Sequence, residues 1–182
     1  MRSNVFHRRI ELPFKLIHSP LKRAIQEPFS LDVYEVVDQR LLHLIDSCGA
    51  YIQSAECFTI PPRGFVNIHL DDGLLSNRTK LNIFLGTGLM KWFQPLPAFK
   101  NKKTELTDVG GQYTSFTEDE VELVHENKMS GEYIINPGIP HSFKNSLYDC
   151  WVVSLTLFDK TTQDFLLFED AINSFSKYIK TE

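Results

Sequence analysis

Short apolar runs punctuated by glycine and proline dominate the middle of this chain. Tyr51–Ile60, Gly64–His69, Lys80–Leu85, Met90–Gln94, Gln112–Phe116, Val121–His125, Tyr133–Ile135 and Tyr148–Phe158 each read as a strand, some alternating, some continuously apolar. Pro61-Pro62-Arg63-Gly64, Asp72-Gly73 and Asn136-Pro137-Gly138 read as turns, and Gly86-Thr87-Gly88 reads as a hairpin between two strands. Two stretches have the helical period instead. Asp38 is a good N-cap, Gly49 a good stop, and Leu41, Leu42, Leu44 and Ile45 lie on one face, which predicts a helix over 38–48. Phe165, Phe168, Ile172, Phe175 and Ile179 share a face near the end, which predicts a second helix over 161–179, with Thr161 and Asp164 as a cap. Residues 1–30, broken by Pro13, Pro20 and Pro28, read as irregular or short-strand chain. The expectation is one mainly-β (α+β) domain over 1–182, with a core at 51–158 between flanking segments.

Composition changes this picture little. A chain of 182 residues, 42% apolar and 23% charged, is ordinary for a globular domain. A net charge of −4 argues against broad nucleic-acid binding. Cys48, Cys57 and Cys150 are an odd number without a Cys-x-x-Cys, pointing to buried thiols in a reducing compartment. The N-terminus has basic residues without the apolar stretch of a signal peptide, and no run approaches a membrane span. A cytoplasmic protein is expected, and the sequon at Asn77-Arg78-Thr79 is read as coincidence.

Candidate chemistry gathers at Gly131-Glu-Tyr-Ile-Ile-Asn-Pro-Gly-Ile-Pro-His141-Ser-Phe-Lys-Asn145. Pro140 fixes its own φ and keeps Ile139 extended, so His141 is held on stiff backbone. Such backbone suits a metal ligand, whose position must hold to a few tenths of an ångström. Upstream, His69-Leu70-Asp71 closes another predicted strand, and in a strand residues i and i+2 share a face. Chance alone gives roughly 0.4 His-x-Asp pairs in such a composition, so the pair gains weight only from its place at a strand end. Two histidines and a carboxylate with open positions form the facial arrangement of non-haem Fe(II) oxygenases. The alternative is that these are structural strand-edge histidines. His7, His18 and His43 are expected at or near the surface, and His125 has no partner at ligand spacing.

Gly131, Gly138, His141 and Asn145 resemble the second cupin motif, Pro-x-Gly-x-x-His-x-x-x-Asn, with the proline displaced to Pro137. The first cupin motif carries His-x-His and a following Glu, whereas this chain has His69-x-Asp71 followed by Leu74, Leu75 and Ser76. That departure makes it similar to the double-stranded β-helix oxygenases that use 2-oxoglutarate, including small phage and marine members. The resemblance covers about residues 50–158. It implies a jelly-roll (cupin-like, double-stranded β-helix) fold and Fe(II) held by the catalytic set His69, Asp71 and His141. It also implies 2-oxoglutarate as co-substrate.

Many members of that superfamily carry an Arg about ten residues after the distal histidine, but here Tyr148–Ser154 offers no Arg or Lys. Related asparaginyl hydroxylases place a Lys nine residues after an Asn, a spacing that Asn82 and Lys91 share. These two are the expected co-substrate residues, with Arg78 and Lys80 as further candidates. Two functions are therefore carried forward. One is an Fe(II)- and 2-oxoglutarate-dependent dioxygenase hydroxylating a small molecule or a peptide side chain. The other is a cupin-like metal- or ligand-binding module without oxidative turnover. The C-terminal helix is expected on the outer sheet, or alternatively in a homodimer.

Overall fold

The computed structural model describes residues 5–13, 29–31, 37–71, 77–100, 102, 104–106 and 112–180. His18, the Asp72-Gly73 turn and Leu74, Leu75 and Ser76 lie outside them. The strands in chain order are β1 (His7–Ile10), β2 (Phe29–Leu31), β3 (Ala50–Ile60), β4 (Phe65–Asp71), β5 (Lys80–Pro95), β6 (Glu105–Leu106), β7 (Gln112–Ser115), β8 (Val121–Ile135), β9 (His141–Asn145) and β10 (Cys150–Asp159). Helix α1 spans Gln39–Ser47 and helix α2 spans Phe168–Ser174. All strand pairs are antiparallel, and the order runs β2-β3-β10-β5-β9-β4-β7-β6, with β8 on β5 and β1 on β8. This is a mainly-β jelly roll.

The sheet folds over itself at β5. The first half of β5 pairs with β10 (Leu85 opposite Trp151), and the second half pairs with β9 (Gly88 opposite Asn145). Gly86-Thr87-Gly88 is thus not the hairpin its glycines suggest. It is a bend inside one continuous strand, where the register with β8 shifts between Phe84 and Gly88. Gly86 has φ +142°, open to glycine and strained for other residues, and a Cβ on Gly88 would meet the Phe143 ring and lie 2.7 Å from the Lys144 carbonyl. The same fusion joins the expected Val121–His125 and Tyr133–Ile135 runs into β8.

Folding over creates two cores. Between the halves lie Ile60, Phe84, Met90, Trp92, Met129, Tyr133, Ile135, Phe143 and Val152, with Phe84 stacked on Phe143 at 5.4 Å. Outside the first half, Leu81, Ile83, Val153, Leu155 and Leu157 meet Leu41, Leu44 and Ile45 of α1 and Phe168, Ala171 and Phe175 of α2. Each such fully buried large apolar side chain contributes about 1.5–3 kcal/mol. The apolar face of α2 is therefore buried within the chain. Asp38 caps α1 as expected, accepting from the Arg40 N–H at 2.8 Å. The second helix begins later than its periodicity suggests. The Asp159 carboxylate accepts from the N–H groups of Thr161 and Thr162, holding a turn there, and Phe165 forms a bridge with Phe158 before α2 starts.

Cys57 and Cys150 are buried free thiols, and Cys48 is half-buried. No helix among the described residues is long and apolar enough to cross a membrane.

Candidate metal centre

Alternation in β4 is what aims the site. Val66 is opposite Phe143, but His69 rather than Ile68 is opposite His141, so β4 carries one extra residue between them. That bulge flips the alternation. Ile68 and Leu70 turn to a small cluster with Phe93, Phe116 and Val121, while His69 and Asp71 turn inward. The Asn136-Pro-Gly138 turn locks onto the same strand end. The Asp71 N–H donates to the Pro137 carbonyl at 3.2 Å, and Asn136 Oδ1 accepts from the Gly138 N–H at 3.1 Å. On the far side, β5 holds β9: Trp92 is opposite His141, and the Phe93 N–H donates to the Pro140 carbonyl at 2.8 Å. Asn145, the last residue of the cupin-like motif, pins the other end of β9 by donating to the carbonyls of Ile60, Pro61 and Tyr148 at 2.7–2.8 Å.

The result brings His69, Asp71 and His141 together, each offering a ligand atom, all within 4.8 Å of one another. His69 Nε2 is 3.4 Å from Asp71 Oδ1, and the two imidazole centroids are 4.5 Å apart. Each histidine donates its Nδ1–H to a carbonyl two residues back, His69 to Asn67 and His141 to Ile139, both at 2.8 Å. That leaves Nε2 of both rings facing the shared point, the tautomer-fixing arrangement common to metal-binding histidines. Two imidazole nitrogens and one carboxylate oxygen suit a divalent transition metal, and three donors leave coordination positions open.

The charges at the site are strongly coupled. Burial opposes the charged form of His69, but the hydrogen bond and charge of Asp71 outweigh it and hold its pKa above 6.5. Burial also opposes ionised Asp71, yet Lys80 and then His69 outweigh it and keep the carboxyl well below its usual range. His141 is lowered to about 4 by burial, with the charge of His69 acting the same way. The Lys80 ammonium donates to Asp71 Oδ2 at 2.9 Å and lies 3.7 Å from Glu56 Oε2.

Of the expected co-substrate residues, Lys80 reaches the triad, whereas Lys91, Arg78 and Asn82 have other surroundings. Lys91 lies opposite Ser142, on the face away from Trp92 and His141, and its ammonium is 3.9 Å from Glu126. Its nine-residue offset from Asn82 is an odd number along what proved to be one continuous strand, which puts the two on opposite faces. Arg78 lies with its guanidinium 3.5 Å from the Phe165 ring centroid. Asn82 does face the interior, two residues from Lys80, and its buried Oδ1 has no hydrogen-bond partner among the described residues.

A second histidine pair was not legible. His7, expected at the surface, is buried in β1, with its Nε2 3.0 Å from Nε2 of His125 and its ring stacked on Trp92 at 4.9 Å. Burial, then the charges of His125 and Arg8, lower its pKa to about 4. The signal for Lys80 was present but weak: Lys80, Asn82 and Phe84 share the face opposite Leu81 and Ile83, so two polar residues point into the barrel.

No protein-family model matches the sequence, and no curated protein matches it significantly. Among solved structures, E. coli ycfD is 17% identical with a TM-score of 0.37, over 62% of this chain and 27% of that one. This chain thus spans about a quarter of that protein's length. An oxalate oxidase is 12% identical with a TM-score of 0.37, over 88% and 77% of the two chains. Procruciferin, an 11S globulin from Brassica napus, is 14% identical with a TM-score of 0.39, over 92% and 35%. These likenesses are loose, so the chemistry has to come from the residues of the site itself.

Proposed function

We propose that this protein is a non-haem Fe(II) oxygenase that hydroxylates a small molecule or a peptide side chain, with 2-oxoglutarate as co-substrate. The observation that carries the reading is the convergence of His69, His141 and Asp71, one ligand atom from each lying within 4.8 Å of the others, with both Nδ1 atoms tied to backbone carbonyls. Fe(II) bound there would supply dioxygen activation and oxidation of a nearby C–H bond. The chain's own residues would do the rest. His69 and His141 present fixed lone pairs, and Asp71 offsets part of the cation's charge in a partly buried site. Trp92, opposite His141 across the β5–β9 ladder, and Phe143 belong to the apolar core between the halves. Asn82, with its buried and unpartnered Oδ1, is positioned to hydrogen-bond a donor on a bound molecule.

One observation favours the second reading, a cupin-like metal- or ligand-binding module without turnover. Among the described residues the cation that reaches the triad is Lys80, and it is already engaged by Asp71 and Glu56 rather than held ready for a distal carboxylate. Consumption of 2-oxoglutarate by the Fe(II)-loaded protein under air, read as succinate and CO2, separates the two. Release above the metal-only background supports the oxygenase, and none supports the module.

A further inference from the structure

Lys80 sits where an ammonium is hard to justify by the fold alone. It opens β5 opposite Ile135 and Thr156, its side chain 15% exposed, on the inward face shared with Asn82 and Phe84. An inward lysine loses hydration and rotamer freedom and is kept only if carboxylates compensate. Among the described residues two do so, unequally: Asp71 Oδ2 at 2.9 Å and Glu56 Oε2 at 3.7 Å. Asp71 is divided, with Oδ2 on the ammonium and Oδ1 turned to His69. Glu56 comes from β3, a separate strand from the ligand strands β4 and β9.

We propose that Lys80 is a stand-in cation, which neutralises Asp71 while the centre lacks metal and shifts to Glu56 when a divalent ion binds. This role rests on the metal centre proposed above. Without an ion, Asp71 is a partly buried carboxylate that needs a positive neighbour, and Lys80 supplies it. With an ion bound, a dication and an ammonium compete for one carboxylate and repel one another at short range. Glu56 lies within a side-chain adjustment of the ammonium and gives it a second acceptor. Lys80 therefore opposes metal uptake, Glu56 favours it, and together they set the affinity of the centre. A simple orienting clamp on Asp71 would behave in the reverse way, because its loss would weaken metal binding.

The test is titration of the whole protein with Mn(II) by calorimetry, alongside thermal unfolding of the metal-free form. Lys80→Met keeps the apolar stem and removes the charge. It should bind Mn(II) at least ten-fold more tightly than the parent and unfold at a lower temperature when metal-free. Glu56→Gln keeps the Lys80–Asp71 pair and should bind Mn(II) several-fold more weakly. Equal or weaker binding by Lys80→Met overturns the stand-in role, as does unchanged binding by Glu56→Gln, which decides the matter if the lysine variant fails to fold. A parent protein that takes up no Mn(II) overturns the metal centre itself and this role with it.

Discussion

His69 and His141 face each other directly across the β4–β9 ladder, and they do so because β4 carries one extra residue between Val66 and His69. An unbulged ladder would set Ile68 opposite His141 and turn His69 and Asp71 outward. The triad is therefore a product of register as much as of sequence spacing.

Asp71 contributes the one anionic donor of that triad. Asp71→Ala should weaken Mn(II) or Fe(II) binding by more than about 100-fold, beyond the usual loss from an outer-shell partner. The circular-dichroism spectrum should stay that of a β protein, since Asp71 belongs to none of the apolar clusters. Calorimetry on the variant checks this, and parent-like affinity would remove Asp71 from the ligand set.

Lys91 should be dispensable. Its ammonium lies toward Glu126, on the face away from His141. Lys91→Ala should therefore leave both metal and 2-oxoglutarate affinities within about two-fold of the parent, a change of under ~0.5 kcal/mol. Equilibrium titration of the metal-loaded variant measures it, and a ten-fold loss would mean that the lysine reaches the cavity.

Much of this architecture was legible in the sequence, for identifiable reasons. Helix α1 has a cap, a glycine stop and a clean apolar face, all local signals. The His69–Asp71 pair could be placed because i, i+2 geometry needs no tertiary information. The missed features depend on partners distant in the chain. Gly86 and Gly88 look like a hairpin until β9 and β10 are seen pairing with the two halves of one strand. The nine-residue spacing of Asn82 and Lys91 carries no sign that both belong to one strand and face opposite ways. His7 appeared exposed because its burial comes from His125, Trp92 and Tyr133, which lie more than eighty residues away.

Gly88 makes the bend possible. Its missing side chain is what lets β9 approach, with the Phe143 ring and the Lys144 carbonyl occupying the space of a Cβ. Phe143 has a rotatable ring, but the carbonyl belongs to a paired backbone. Gly88→Ala should destabilise the fold by about 1–3 kcal/mol, the usual cost of overpacking a filled core. Urea unfolding would show this as a lower midpoint with an unchanged slope.

His7 should make stability fall in mild acid. Its pKa is about 4 in the folded protein and 6.5 as an ordinary imidazole, so between these values the unfolded chain binds a proton that the folded one refuses. The contribution is complete above pH 6.5 and is lost as pH falls toward 4. Between pH 7 and pH 4.5 this single group should remove about 2–3 kcal/mol. His7→Phe should flatten that part of the pH–stability curve in urea titrations, and an equally steep fall in the variant would assign the effect to other groups.

In the proposed function, His69, Asp71 and His141 form an iron centre that also binds a 2-oxo acid. Anaerobic titration of the protein with Fe(II), with and without 2-oxoglutarate, addresses it by visible absorption. A weak charge-transfer band should appear only when both are present, saturate at one iron per chain and be absent from Asp71→Ala. Stoichiometric iron binding with no band at any 2-oxoglutarate concentration would contradict it and leave a metal-binding module in its place.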